Sequence, residues 1–198
     1  MAPDVPAALS AIDAAHALDP NTIISPDSQS PVPYELHYAL KCTAYLRKHT
    51  PEPSPLLTVA VRAQHFRRWE VPRDSFPRTK PGYFAWRTHL KKRQAQQVKE
   101  ICLGCGFSED EAARVAALIA KEDLKSGDDE EAQALEDVAC LVFLDDQFDG
   151  FEKGVEEEKM VGILRKTWGK MGGRGREMVQ EMELSERAKE LVGRALAG

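Results

Sequence analysis

The sequence predicts an all-α fold: a single helical domain of about seven to eight helices, with a loop-rich N-terminal arm. Three observations carry that prediction. All 12 prolines lie at or before Pro81, so irregular connections crowd the first part and the rest is free to be helical. Apolar residues recur at 3.6-residue spacing in segment after segment, and no run shows period-two alternation bounded by hairpin signals. The chain has 198 residues, 42% hydrophobic and 30% charged, which suits an ordinary core and argues against wholesale disorder.

A short first helix is predicted from Pro6 to Ala17. Leu18 to Pro33 mixes prolines with polar residues and reads as a long loop. Residues 1–33 are therefore taken as an N-terminal helix and arm, and residues 34–198 as the helical domain. The stripe Leu36, Leu40, Thr43 and Leu46 marks a helix from Tyr34 to His49, which Thr50-Pro51-Glu52-Pro53 breaks. Ser54 can cap the next helix with Pro55 at its first position. That helix carries Leu56, Val59, Ala60, Ala63 and Phe66 on one side and is predicted to continue until just before Pro72. After an irregular stretch from Pro72 to Pro81, a helix runs from Gly82 to Leu103 and ends at Gly104 or Gly106. Ser108 with Glu111 forms a capping box for a helix to about Glu122. Further helices are predicted over Glu131 to Phe148, Glu156 to Met171 and Ser185 to Ala197. Gly169 to Gly175 lacks the Gly-Lys-Ser/Thr ending of a phosphate loop and reads as a turn.

Several function classes fall away at this level. No stretch approaches eighteen apolar residues, so no membrane span is expected. Met1 to Ala17 has no Lys or Arg, unlike a secretory or mitochondrial leader. Four cysteines do not read as a disulfide framework, and a cytoplasmic location is expected. Cys102-x-x-Cys105 has no second pair, so Gly104 and Gly106 read better as a helix end than as part of a zinc site. Asp145, Gln147, Asp149, Gly150 and Glu156 approach a calcium-loop spacing, but Gln147 and Glu152 depart from it, which favours an acidic connector.

Charge is unevenly placed in a chain of net charge −5. The segment from Arg62 to Arg93 holds Arg62, Arg67, Arg68, Arg73, Arg78, Lys80, Arg87, Lys91, Lys92 and Arg93 against only Glu70 and Asp74. From Glu109 to Glu158 the balance reverses. The basic segment is either an anion site, for phosphate, nucleotide or RNA, or a surface that pairs with the acidic half. His65 lies within it, and helical spacing would put Arg62, His65 and Trp69 on one face with Arg68 beside His65. An imidazole among guanidiniums suits proton transfer or a phosphate contact, and the positive charge favours its neutral form. Asp137 lines up with Leu141 and Leu144 on the most apolar helix, so its carboxylate is carried inward, where it requires a metal, an arginine or hydrogen-bond donors. Glu136 is expected at that helix's polar edge.

The order of His37, then His65, then Asp137 on successive helices resembles the HD-type metal phosphohydrolases. That resemblance implies a divalent metal (Mn, Fe, Zn or Mg) held by His37, His65 and Asp137, with Glu122 or Asp123 as further candidates. Phe66 stands where those enzymes have their metal-binding Asp. The stretch Arg62-Ala63-Gln64-His65-x-x-Arg68-Trp69-Glu70-x-Pro72-Arg73, the Gly82-Tyr83-x-x-Trp86-Arg87 turn and the Leu135 to Leu144 helix resemble more closely the domain of unknown function 4202 family. Its members are often labelled glutamyl-tRNA synthetase, but this chain carries no nucleotide-binding βαβ unit or adenylate-binding signature. Together these resemblances imply a divergent HD-like domain, a phosphohydrolase acting on a nucleotide or another small phosphorylated compound. In that reading His65 and Asp137 form the inner site, and Arg62, Arg68, Arg73 and Arg87 hold phosphate through bidentate guanidinium contacts. The alternative is a non-catalytic module binding nucleotide or RNA, with Tyr83 and Trp86 stacking on a base.

Overall fold

The computed structural model describes residues 2–24, 29–122 and 128–197. In chain order the helices are α1 (Val5–His16), α2 (Tyr34–His49), α3 (Pro55–Arg62), α4 (Lys80–Gly104), α5 (Glu109–Ala120), α6 (Glu130–Val142), α7 (Phe148–Glu152), α8 (Glu157–Lys170), α9 (Gly173–Glu181) and α10 (Glu186–Leu196). The fold is all-α, as predicted. Beside the helices, the described residues include a small hairpin of β1 (Thr22–Ile24) and β2 (Pro31–Pro33), with Ile23 opposite Val32. Strands of three residues are too short to show alternation in a sequence, which is why this stretch read as plain loop. No described helix is long and apolar enough to cross a membrane.

The predicted caps are present and explain where several helices begin. The Ser54 hydroxyl accepts from Leu57 N–H at 3.0 Å, and Ser108 and Glu111 form the reciprocal capping box of α5. At the end of α4, Gly106 has φ +82°, and Phe107 N–H donates to Cys102 O at 3.1 Å while Gly106 N–H donates to Leu103 O. This closing turn needs a left-handed residue, which glycine supplies without strain, and it explains the Cys102 to Gly106 spacing. All four cysteines are free.

Helix α6 is the central rod, packed against α2, α3, α5, α8 and α9, with Leu135, Val138, Leu141 and Val142 fully buried. Helix α1 joins the same core through Ala8, Ile12 and Ala15. After Val142 the backbone widens into a π-turn (Phe143–Gln147) before α7, where a single helix to Phe148 was expected. The wider turn presents Asp145, Asp146 and Gln147 to α2, where they meet Lys41, His37 and the Tyr34 hydroxyl. Asp149 accepts from Ser185 Oγ at 2.8 Å, so the calcium-like spacing belongs to helix and π-turn rather than to a loop.

Two expectations about helix extent are corrected. Helix α3 stops at Arg62, nine residues before the predicted end, and Ala63 to Arg67 form a turn in which His65 (φ 64°) and Arg67 (φ 48°) are left-handed. The turn buries Phe66, which is 2% exposed and meets His16 edge-on with ring centroids 5.5 Å apart. Helix α9 occupies the end of the glycine-rich stretch that read as a turn.

Candidate functional site

A cavity of about 420 Å³ lies where the first turn of α2, the Ala63 to Arg67 turn, the Arg68–Glu70 3₁₀ turn and the start of α4 meet. Tyr34, Tyr38, His65, Arg68, Arg73 and Trp86 line it, and its volume falls in the range of small-molecule pockets. Local strain builds this wall. Left-handed φ values on non-glycine residues cost about 1–2 kcal/mol each. Here they turn the His65 ring onto Tyr38, stacked at 4.3 Å and 10°, while Phe66 goes to the core. Trp86 donates its indole N–H to Val71 O at 3.0 Å, is 5% exposed and lies under the Arg68 guanidinium at 4.8 Å. It is thus a wall, with the stacking face expected for a base already covered by Arg68.

Charge in the cavity is one-sided. Arg68 Nη1 donates to His65 Nε2 at 3.1 Å, so that nitrogen is an acceptor and the imidazole is neutral. Burial, followed by the charges of Arg68, Lys121 and Arg87, pushes the His65 imidazole well below its usual value. Burial and then the charge of Arg87 also lower the Arg68 guanidinium. Arg73 is fixed by carbonyls instead of a counter-ion, donating to Phe76 O at 2.9 Å and Pro77 O at 2.8 Å. The carboxylates at the rim are already engaged. Asp19 accepts from the backbone of Asn21 and Glu35, and Glu35 accepts from Trp69 N–H at 3.0 Å while facing His16. The indole N–H of Trp69 is closed off from solvent and has no partner.

The basic and acidic segments do not neutralise each other: no ion pair among the described residues joins 62–93 to 109–158. Within the basic segment, Glu70 takes Arg67 and Arg93, Asp74 takes Arg78, and Arg62 reaches back to Asp13 at 3.1 Å. The acidic half is occupied by Arg114, Lys121, Lys41, Arg187 and Arg194. Among the described residues, Arg68, Arg73 and Arg87 are left without a carboxylate.

The structure separates the residues expected to converge. Asp137 is 1% exposed and lies at the other end of α2, accepting from His49 Nε2 (3.0 Å), Gln133 Nε2 (2.7 Å), Gly172 N–H (2.8 Å) and Gly175 N–H (3.2 Å). Tyr38, which carries the His65 stack, and His49 are eleven residues apart on α2, about 16 Å along its axis. Of the three ways to keep a carboxylate buried, donors are the one used, and neither a metal nor an arginine is needed. His37 has a third location, donating from Nε2 to Asp146 Oδ1 at 2.7 Å. Each of the three residues expected to share a metal thus has a different set of partners, and no group of three or more His, Cys, Asp or Glu among the described residues forms a ligand set. The donors do not fit the divalent ion that the resemblance implied. Glu122 is exposed, and Asp123 lies outside the described residues. Arg62 faces α1 rather than the cavity. Tyr83 and Arg87 sit beside the cavity, Arg87 Nη1 donating to the Tyr83 hydroxyl at 3.3 Å. Glu136, expected at a polar edge, is 5% exposed and held by Lys121 and Lys170.

The residues that sequence reasoning missed are Asp19, Tyr34, Glu35 and Tyr38. The i,i+4 tyrosines opening α2 were the available signal, masked by the stripe of Leu36 and Leu40 beside them. No curated protein and no solved structure matches this chain. A family model, Domain of unknown function (DUF4202), matches residues 6–192. That match spans nearly the whole described fold, and the chain belongs to this family.

Proposed function

We propose that the protein binds a phosphorylated small molecule, a nucleotide or a compound of similar size, in the cavity between α2 and α4. One observation carries this reading: the half-buried Arg68 guanidinium lines the cavity with no carboxylate partner among the described residues, its side-chain hydrogen bond going to a neutral imidazole. A desolvated cation is costly unless an anion completes it, and planar guanidinium forks match phosphate oxygens. Arg68 and Arg73 would take the phosphate. Isothermal titration calorimetry of the full chain with inorganic phosphate and with AMP tests the reading. Saturable binding is expected that weakens at least ten-fold in Arg68→Gln. Absence of binding to both ligands would overturn it.

A second reading is hydrolysis of the bound phosphate compound, and the His65 geometry favours it. His65 Nε2 is an acceptor now satisfied by Arg68; once a phosphate draws Arg68 away, that lone pair is free to accept a proton from water. Phosphate release from AMP, lost in His65→Gln while AMP binding persists, is the expected result. Binding with no release would leave the protein a binding module.

A further inference from the structure

Beside the cavity lies a second group of cations that a single phosphate at Arg68 would leave unmatched. Lys91 follows Arg87 by one turn of α4 and is half-buried, yet no hydrogen bond or ion pair holds its ammonium among the described residues. Its surroundings are adverse: burial comes first, then the positive charges of Lys121 and Arg87, and Lys170 adds a third. Glu136 is a carboxylate that acts on it, and Lys121 and Lys170 already hold both Glu136 oxygens. Lys121 is itself fixed, left-handed at φ 56° where α5 ends, with its side chain 15% exposed.

Arg87 connects the two groups. Its guanidinium lies over the Tyr83 ring at 6.0 Å, Tyr83 lies 6.0 Å from Trp86, and Arg68 covers Trp86 at 4.8 Å, while Lys91 stands one turn farther along α4. Arg68, Arg87 and Lys91 therefore form a run of cations, and the charge of Lys121, paired with Glu136, lies beyond Lys91. Such a run is self-repelling in the free protein, and each added phosphate of a chain-like anion would relieve one more of its contacts.

We infer that the ligand of this cavity carries a diphosphate or longer phosphate chain, with one phosphate at Arg68 and the next along Arg87 and Lys91 towards Lys121. This rests on the proposed phosphate-binding function and names its ligand class. A monophosphate ester fills the first position and leaves Lys91 unpaired, so the number of linked phosphates should set affinity.

Calorimetric titration of the full chain with inorganic phosphate, pyrophosphate and tripolyphosphate tests the inference. Pyrophosphate is expected to bind at least ten-fold tighter than phosphate, and tripolyphosphate no more weakly than pyrophosphate. In Lys91→Gln the ratio of pyrophosphate to phosphate affinity should fall close to one, and Lys91→Arg should restore it; unchanged thermal unfolding of both variants checks the fold. Equal affinity for phosphate and pyrophosphate in the wild type, or an undiminished ratio in Lys91→Gln, overturns the inference while the phosphate cavity stands. Failure of all three anions to bind removes the cavity reading as well. A single-stranded oligoribonucleotide that displaces tripolyphosphate and binds far more tightly would overturn the inference in favour of RNA.

Discussion

The two ends of α2 each lie against a histidine and a polar cluster, and they differ in whether donors and acceptors balance. At the C-terminal end, Asp137 takes two hydrogen bonds on each oxygen, from His49 and Gly175 on one and from Gln133 and Gly172 on the other. The amides come from the first turn of α9, where a helix leaves N–H groups unsatisfied and favours a negative charge. At the N-terminal end, His65 stacks on Tyr38 and accepts from Arg68, and the guanidiniums of Arg68 and Arg73 have no carboxylate among the described residues. A completed buried network holds a fold together, whereas one left with surplus donors is free to take a ligand. The sequence offered His65 and Asp137 as one site. The structure makes one of them a structural tie and leaves the other on the wall of the cavity.

The comparison breaks most directly at Asp137. Replacing it with alanine leaves His49 Nε2 and two helix-terminal amides without an acceptor and takes one of two from Gln133 Nε2, which keeps Lys170 O. The loss should be about 3 kcal/mol or more, read by urea denaturation. Ligand binding at the opposite end should survive in the folded fraction. A loss below about 1 kcal/mol would show that α9 is not held through this carboxylate. The next effect in size is at Gly175, where a Cβ would stand 2.6 Å from the Asp137 carboxyl group. Gly175→Ala should cost about 1–3 kcal/mol through overpacking. Most of that cost should vanish in an Asp137→Ala background, and a double-mutant cycle with no coupling would contradict the contact.

What the sequence disclosed follows the range of the interactions. Caps at Ser54 and Ser108 were legible because their donors lie three residues away. The inward direction of Asp137 was legible from periodicity, but its partners at His49, Gly172 and Gly175 are 35 to 88 residues distant, and nothing local announces them. Helix α9 was hidden for the same reason: three glycines near its start lower helix propensity, and the Asp137 carboxylate that favours this N-terminus lies on another helix. The end of α3 was hidden because Gln64 to Arg67 suit a helix locally, and it is the burial of Phe66 that imposes the turn. Within the cavity, the basic and aromatic residues of 65–86 were readable as a cluster. Asp19, Tyr34, Glu35 and Tyr38 come from elements that only tertiary packing brings to it.

A smaller effect separates the two ends through pH. Burial and the charges of Arg68, Lys121, Arg87 and His16 hold the folded His65 imidazole low, while in the unfolded chain it titrates near its ordinary value of about 6.5. Below that pH the unfolded state binds the extra proton. Stability that is fully present above about pH 6.5 is therefore lost as pH falls toward the folded value. The slope of stability against pH between 7 and 5 should flatten in His65→Gln relative to wild type. Identical slopes would mean that His65 does not stay neutral in the fold.

The smallest expected change in stability is the most informative about function. Arg68→Gln gives up the contact with Trp86, worth about 0.5–1 kcal/mol, but also removes a half-buried charge that no carboxylate among the described residues pairs with. The two contributions oppose, so unfolding free energy should change by no more than about 0.5 kcal/mol, in contrast to Asp137→Ala. A ligand that binds only the folded state raises stability by about 2.7 kcal/mol at a hundred times its dissociation constant. Pyrophosphate at that concentration should stabilise the wild type by this amount and Arg68→Gln, binding at least ten-fold more weakly, by about 1.4 kcal/mol or less. If the variant instead loses about 2 kcal/mol or more without ligand, Arg68 belongs with Asp137 among the residues that hold the fold, and the contrast between the two ends of α2 disappears.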